Sequence, residues 1–339
     1  MIDILVAGGG PAGLATAIHA ALAGMEAVVV EPRSTPIDKA CGEGLMPGGA
    51  AALASMGVEV NGRPLRGIRY LDGRHEPQAE FRDGHGHGLG VRRTELHAAL
   101  SLRAAELGVQ VIPGKVDQVR QDQDGIEAAG LRARWLVAAD GLHSPLRRSL
   151  GLELPDRRPG RYGLRQHYQI PPWTDFVEVH WAAGGEAYVT PVGDDLVGVA
   201  VLSSERCAYQ THLAQFPALR ARLEGSAVTR VRGAGPLRQR TRSRVAGRVL
   251  LVGDAAGYTD ALTGEGITLA LRSAQALIGC LQADRPQAYE GIWRSLSRRH
   301  RLLTGALLHA RRHPASARLI VPAAQHLPAL FTLAVRALA

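Results

Sequence analysis

The chain has 339 residues, 46% of them hydrophobic and 21% charged, with a formal net charge of +9. The positive charge favours anionic partners, yet no DNA- or RNA-binding motif accompanies it, so nucleic acid is not expected. Three widely spaced cysteines, Cys41, Cys207 and Cys280, argue against a disulfide framework or a zinc site and for a reducing cytoplasm. No apolar run reaches the roughly 18 residues of a membrane span, and with a strand starting at the second residue no signal peptide is expected.

Residues 1–7 read as an apolar strand that runs into Gly8-Gly9-Gly10-Pro11-Ala12-Gly13 and then a helix to Leu22. The glycines occupy the first, third and sixth places of G-x-G-x-x-G. They allow a tight turn, close approach of a pyrophosphate and close helix–strand packing. The free N–H groups of the helix start then face an anion. A second apolar run, Ala27–Val30, ends in Glu31, an acid placed for a ribose. Together these point to an adenine dinucleotide.

A loop from Pro32 to Lys39 leads to the glycine-rich segment 40–47, and a short helix is expected over 49–56. Residues 58–90 read as hairpins bounded by Asp72-Gly73 and Asp83-Gly84. His85 and His87 lack the further spacing of a metal site. A second helix is expected from Arg92 to Glu106, stopping at Gly108. Strands are expected over 109–113 and 115–119, then over 126–129 and 131–139, the last ending in Asp140-Gly141. Alternating runs at 162–170, 176–181, 186–191 and 196–203 predict a mostly antiparallel sheet. Residues 207–223 read as a helix. Arg238, Arg240, Arg242 and Arg244 alternate at strand period, which predicts one charged face. It reads as a solvated edge, with contact to the phosphates of a nicotinamide cosubstrate as the alternative. A buried strand over 248–252 ends in Gly253-Asp254. Helices follow from Gly264 to Leu281 and over 286–311. The apolar tail, cut by Pro322 and Pro328, is expected to pack on the core rather than form a flap or meet a membrane.

Three motifs thus stand in a fixed order: Gly8-x-Gly10-x-x-Gly13 with Glu31, Ala139-Asp140-Gly141-x-x-Ser144-x-x-Arg147, and Gly253-Asp254-Ala255-Ala256. Together they resemble the flavoprotein superfamily of the aromatic hydroxylases and geranylgeranyl reductases, over essentially the whole chain. The resemblance implies an α/β fold. Its core is a glutathione-reductase-type FAD-binding Rossmann fold, with an inserted antiparallel-sheet substrate cap and a helical C-terminus. The FAD domain would be discontinuous (1–62, 91–153 and 247–285), the cap would take 63–90 and 154–246, and 286–339 would form the C-terminal segment. FAD is the implied cofactor and NAD(P)H the implied cosubstrate, with no metal.

Carried over by position, Glu31 would bind the adenosine ribose, Val116 would give a backbone contact to adenine, and Asp254 would bond the ribityl chain. Arg93 would reach the ribityl and phosphate region, and Asp140-Gly141 would serve FAD and NAD(P)H. Lys39-x-Cys41-Gly42-Glu43-Gly44-Leu45 is similar to the reductase segment beside the isoalloxazine ring. Thr263-Gly264-Glu265-Gly266-Ile267 is similar to that branch's helix start at the flavin N1/O2 edge, where a helix N-terminus would favour negative charge. The candidate cofactor set is completed by Pro11, Ala12, Arg33 and Gly253. Candidates for catalysis are Cys41, Glu43, His167 and Tyr188, the last two expected to face substrate or solvent according to strand parity.

The aromatic motif of the reductases is replaced here by Glu186, Tyr188 and Thr190, which argues against a long polyprenyl tunnel. The Trp-x-Trp-x-Ile-Pro motif and catalytic lysine of the halogenases are absent. Three readings follow. The first is an NAD(P)H-dependent monooxygenase hydroxylating an aromatic or polyketide-like molecule, preferred because oxygenating members are more numerous. The second is a reductase of carbon–carbon double bonds in an isoprenoid or lipophilic substrate. The third is a non-catalytic flavin-binding scaffold, with the basic C-terminal helices meeting a membrane. Oligomeric state is left open.

Overall fold

The computed structural model describes residues 1–81 and 86–338; the Asp83-Gly84 turn and His85 of the His-x-His pair lie outside them. The frame is a sheet whose central strand is Ile2–Ala7. On one side it pairs in parallel with Ala27–Glu31, which pairs with Gln110–Pro113; on the other with Leu131–Ala138, which pairs with Val249–Leu251. Ile4 sits opposite both Ala27 and Trp135. Strands from distant parts of the sequence therefore share one layer, as buried parallel strands with unbroken apolar runs do. Helices Pro11–Leu22 and Gly266–Gln282 pack on it, with Leu14, Ile18, Leu271 and Leu277 buried in the common core.

The second sheet runs in the order Arg232–Ala234, Tyr162–Gln169, Leu196–Ser203, Gly185–Gly193, Phe176–Ala182, Gly67–Leu71 and Gln78–Glu80. It is antiparallel except where Phe176–Ala182 meets Gly67–Leu71. The 58–90 region is thus split. Gly67–Leu71 and Gln78–Glu80 form the expected hairpin and extend the cap sheet. Arg63–Leu65 and Gly88–Gly90 join Gly44–Leu45 in a small separate sheet.

Three local expectations fail for physical reasons. Residues 115–119 form no strand, because Gln110–Pro113 is already the sheet edge and the segment has no neighbour to pair with. The helix expected over 207–223 is two, Tyr209–Leu213 and Pro217–Leu223; proline lacks an N–H and fits only a helix start. The four alternating arginines form no strand face. Only Arg240–Thr241 is extended, paired with Glu153–Leu154, and Arg244 is buried with its guanidinium 3.9 Å from the Trp293 ring centroid.

The long helix Ala288–Arg312 is followed by Pro314–Ala317, Ile320–His326 and Pro328–Leu338. Phe331 and Val335 bury against the cap hairpin, with Phe331 on the Tyr70 ring. Leu327, Leu330 and Leu333 stay exposed. No helix among the described residues is long and apolar enough to cross a membrane.

Candidate functional site

The site begins at the glycine turn. Gly8 adopts φ +109°, and a Cβ on Gly13 would lie 1.8 Å from the Gly8 carbonyl oxygen, so both positions require glycine. The Glu31 carboxylate bridges this turn to the second strand. Oε2 accepts from Gly9 N at 2.6 Å, and Oε1 accepts from Arg33 N and Nε at 3.0 and 2.7 Å. Burial alone would raise its pKa, but Arg33 and the two N–H groups hold the carboxyl below the usual carboxylate range. His97, one helical turn after Arg93, places Nε2 2.9 Å from the Gly9 carbonyl, and burial lowers its pKa.

A cavity of about 400 Å³ opens from this turn. Gly10, Pro11, Ala12, Arg33 and Arg93 line one end. Lys39, the Cys41–Gly44 loop, Asp140, Gly141, Gly253, Asp254, Gly264, Gly266 and Ile267 line its middle. At the far end the inner face of the cap contributes Ile68, Tyr70, Val177, Val179, Tyr188, Ala200 and Leu202, with Leu338 from the last helix. Gly8, Gly13, Glu31, Val116, Glu265 and His167 do not line it.

Several lining groups lack protein partners. The Arg93 side chain is buried, and among the described residues it makes no ion pair; desolvation lowers its pKa. Asp140 accepts from Leu146 N at 3.0 Å through Oδ2, while Oδ1 is buried without a partner. Burial raises the Asp140 carboxyl pKa. The helix Gly266–Gln282 starts at the cavity with no side-chain cap, because the Glu265 carboxylate turns to His300 Nδ1 at 2.9 Å. The Asp254 carboxylate has Lys39 as its ion-pair partner among the described residues, at 3.5 Å. An unpaired buried guanidinium beside a glycine turn, an orphaned carboxylate oxygen and bare helix N–H groups are the donors and acceptors that the phosphates, ribityl hydroxyls and ring edge of FAD require. The residues fit that group.

Arg147 ties two motifs together. Its guanidinium is fully buried and donates to the carbonyls of Asp254 and Ala255 at 3.3 and 3.2 Å, to Leu142 O at 2.9 Å and to Gln239 Oε1 at 2.7 Å. Ser144 caps the short helix that carries it, accepting from Arg147 N at 2.9 Å.

The catalytic candidates divide. The Cys41 thiol lines the cavity, and burial pushes its pKa up, so it is a thiol rather than a thiolate. Tyr188 also lines it, donates to Leu262 O at 2.8 Å and is raised well above the ordinary phenol pKa by burial. Glu43, at φ 60°, accepts from Arg93 N at 2.9 Å and contacts His167 Nε2 at 2.7 Å. His167 sits on the inner face of its strand but beneath the Cys41–Glu43 loop, out of the cavity. Of the residues standing in the places of the aromatic motif, Thr190 donates to Gly42 O at 2.7 Å, and Glu186, fully buried, pairs with Arg161 and Arg311. Sequence reasoning missed His97, Arg161, Tyr258 and Leu338, none of which carries a local motif. Among the described residues no cluster of His, Cys, Asp or Glu could hold a metal ion.

Residues 1–163 match the FAD binding domain family. The chain is 30% identical over 300 residues to digeranylgeranylglycerophospholipid reductase 1 of Methanothermobacter thermautotrophicus, covering 78% of this chain and 73% of that protein. It is 31% identical over 317 residues to menaquinone reductase of Mycobacterium tuberculosis, covering 80% and 74%. In fold it is similar to a geranylgeranyl bacteriochlorophyll reductase-like protein of Thermoplasma acidophilum, with a TM-score of 0.78, 21% identity, and coverage of 97% and 91%. The chain therefore belongs to the flavoprotein superfamily of aromatic hydroxylases and geranylgeranyl reductases, and is an FAD-dependent oxidoreductase.

Proposed function

We propose that the protein is a flavin-dependent reductase of carbon–carbon double bonds in a lipophilic, isoprenoid-bearing substrate. The observation that carries this is the continuity of one cavity from the glycine turn to an apolar wall of Ile68, Val177, Val179, Ala200 and Leu202. The reductase names of the relatives support it, and they outweigh the numerical preference for oxygenation read from the sequence. In the same proposal the chain divides into a discontinuous FAD domain, a cap and a C-terminal segment.

Bound FAD supplies the two-electron chemistry, with NAD(P)H as the proposed source of electrons. In this reading the chain's residues do the following. Arg93 neutralises phosphate charge, and Asp140 and Asp254 accept hydroxyl hydrogen bonds. The N–H groups of Gly266 and Ile267 stabilise negative charge at the ring edge. The apolar cap wall aligns the substrate and excludes water. Saturating a double bond also needs a proton. Tyr188 commits its hydroxyl hydrogen to Leu262 O, whereas the Cys41 S–H is uncommitted, its sulfur lying 3.4 Å from Glu43 N. Cys41 is thus the proposed proton donor. The exposed Leu330 and Leu333, on the helix whose Leu338 lines the cavity, and Leu327 just before it, support peripheral contact with a membrane that holds such a substrate.

Oxygenation of an aromatic substrate is the second reading, favoured by Tyr70, Tyr188 and Tyr258 in the lining. Air decides between them. Turnover with prenylated quinones or lipids that proceeds equally well without oxygen supports the reductase. A strict oxygen requirement with hydroxylated product overturns it.

A further inference from the structure

A second cavity, of about 310 Å³, shares the wall Gly253, Asp254, Tyr258 and Gly266 with the first. It opens between the 238–244 segment and the long helix Ala288–Arg312. Its lining carries Arg238, Arg240, Arg242, Arg244, Arg294 and Arg301, against a single carboxylate, Asp254. Three of these arginines are answered by acids: Arg238 by Asp156, and Arg244 and Arg294 by Glu290. Among the described residues Arg240, Arg242 and Arg301 have no ion pair; Arg240 donates only to the Pro155 carbonyl, at 3.0 Å. Asp254 faces Lys39 and Glu265 faces His300, so neither offsets the excess.

The crowding is felt by the buried member. Burial lowers the Arg244 pKa, Glu290 opposes this, and Arg301 and Arg294 add to the lowering. Guanidinium groups converging on a concave site without counter-charge repel one another unless an anion sits among them. Their planar forks match the oxygens of phosphate bidentately.

We infer that this second cavity is an oxyanion site, separate from the FAD cavity, that takes a phosphate or diphosphate group between Arg240, Arg242 and Arg301. The group belongs to a nicotinamide dinucleotide or to a phosphorylated lipid. Only this choice of sources rests on the proposed reductase function. The site shares Asp254 and Gly266 with the candidate flavin wall, so a ligand anchored here lies beside the reacting region rather than remote from it.

The test uses the FAD-loaded protein in its oxidised state, with no turnover. Inorganic pyrophosphate is titrated at constant ionic strength, and binding is read by calorimetry and by the rise in unfolding temperature. Saturable binding is expected, weakened at least tenfold in the Arg240→Gln/Arg242→Gln double variant and in Arg301→Gln, with FAD content unchanged. These side chains are exposed, so the variants fold. Displacement of pyrophosphate by NADP+ assigns the dinucleotide, and displacement by a soluble short-chain phosphatidic acid assigns the lipid. Displacement by neither overturns both sources, and saturable pyrophosphate binding then supports the oxyanion site alone. An equal effect from chloride, or undiminished pyrophosphate binding in both variants, overturns it. Failure of double-bond reduction leaves this result untouched, because the measurement involves no reaction.

Discussion

His167 Nε2 lies 2.7 Å from Glu43 Oε2, while its Nδ1 lies 3.1 Å from Arg165 Nη1. Arginine only donates, so Nδ1 accepts and the ring proton sits on Nε2, donating to the carboxylate. Glu43 in turn receives Arg93 N. One buried chain of hydrogen bonds therefore runs from the cap strand through the Cys41–Glu43 loop to the helix that presents Arg93. Cap and cofactor domain are coupled at the point where substrate and flavin would meet.

Glu43→Ala strands the Arg93 amide and the His167 ring N–H inside the protein. A buried donor left without a partner costs about 1–3 kcal/mol, so the variant is expected to lose about 2–4 kcal/mol of stability, measured by denaturant unfolding. Glu43→Gln, which keeps an acceptor oxygen, should lose less. Equal stability of Glu43→Ala and wild type would remove the coupling role.

Arg93 makes the opposite case. Its guanidinium has no ion-pair partner among the described residues, so removing it frees the protein of a buried, unanswered charge. Arg93→Met is expected to leave apoprotein stability unchanged or raised while weakening FAD binding at least tenfold, about 1.4 kcal/mol. Fluorescence titration of the apoprotein with FAD measures this. Unaltered FAD affinity contradicts the phosphate-side role.

Glu31 gives a pH signature. Its folded pKa is depressed, so its contribution is present above the unfolded carboxylate pKa, about 4.3, and is lost as pH falls through the lower folded value. The stability advantage of wild type over Glu31→Gln, from melts across acidic pH, should hold near pH 6 and shrink below about pH 4. A gap that widens with acidification contradicts the sign.

What was legible in the sequence is what local chemistry dictates. The Gly8–Gly13 turn follows from sterics, the parallel strands from unbroken apolar runs, and the cap strands from alternation and turns. The tertiary ties were not legible. Arg147 stood in a motif, but its partners Gln239 and Asp254 lie about a hundred residues away, and nothing near it announces them. Strand parity put His167 on one face or the other without saying that a loop would cover it. The alternation of Arg238 to Arg244 predicts a strand of which only Arg240–Thr241 forms, because buried contacts of Arg244 to Glu290 and Trp293 outweigh the periodic pattern. The replacement of aromatic residues by Glu186 and Thr190 was visible. Its use as a latch for Arg161 and Arg311, and as an anchor for Gly42, was not.

The cap wall can be tested by filling it. Ala200 lines the far end of the cavity. Ala200→Trp is expected to lower kcat/KM for a lipophilic substrate by about tenfold or more, with FAD content and reduction of the flavin by dithionite unchanged. Undiminished turnover would place the substrate elsewhere.

The most direct test of the central claim is a single anaerobic turnover. Protein loaded with FAD and reduced by dithionite is freed of excess reductant and mixed with a prenylated lipid or quinone, and the product is weighed by mass spectrometry. The account predicts flavin reoxidation and a product heavier by two hydrogens, with slowed turnover in Cys41→Ala. Flavin that stays reduced until oxygen is admitted, with oxygen then found in the product, would contradict it.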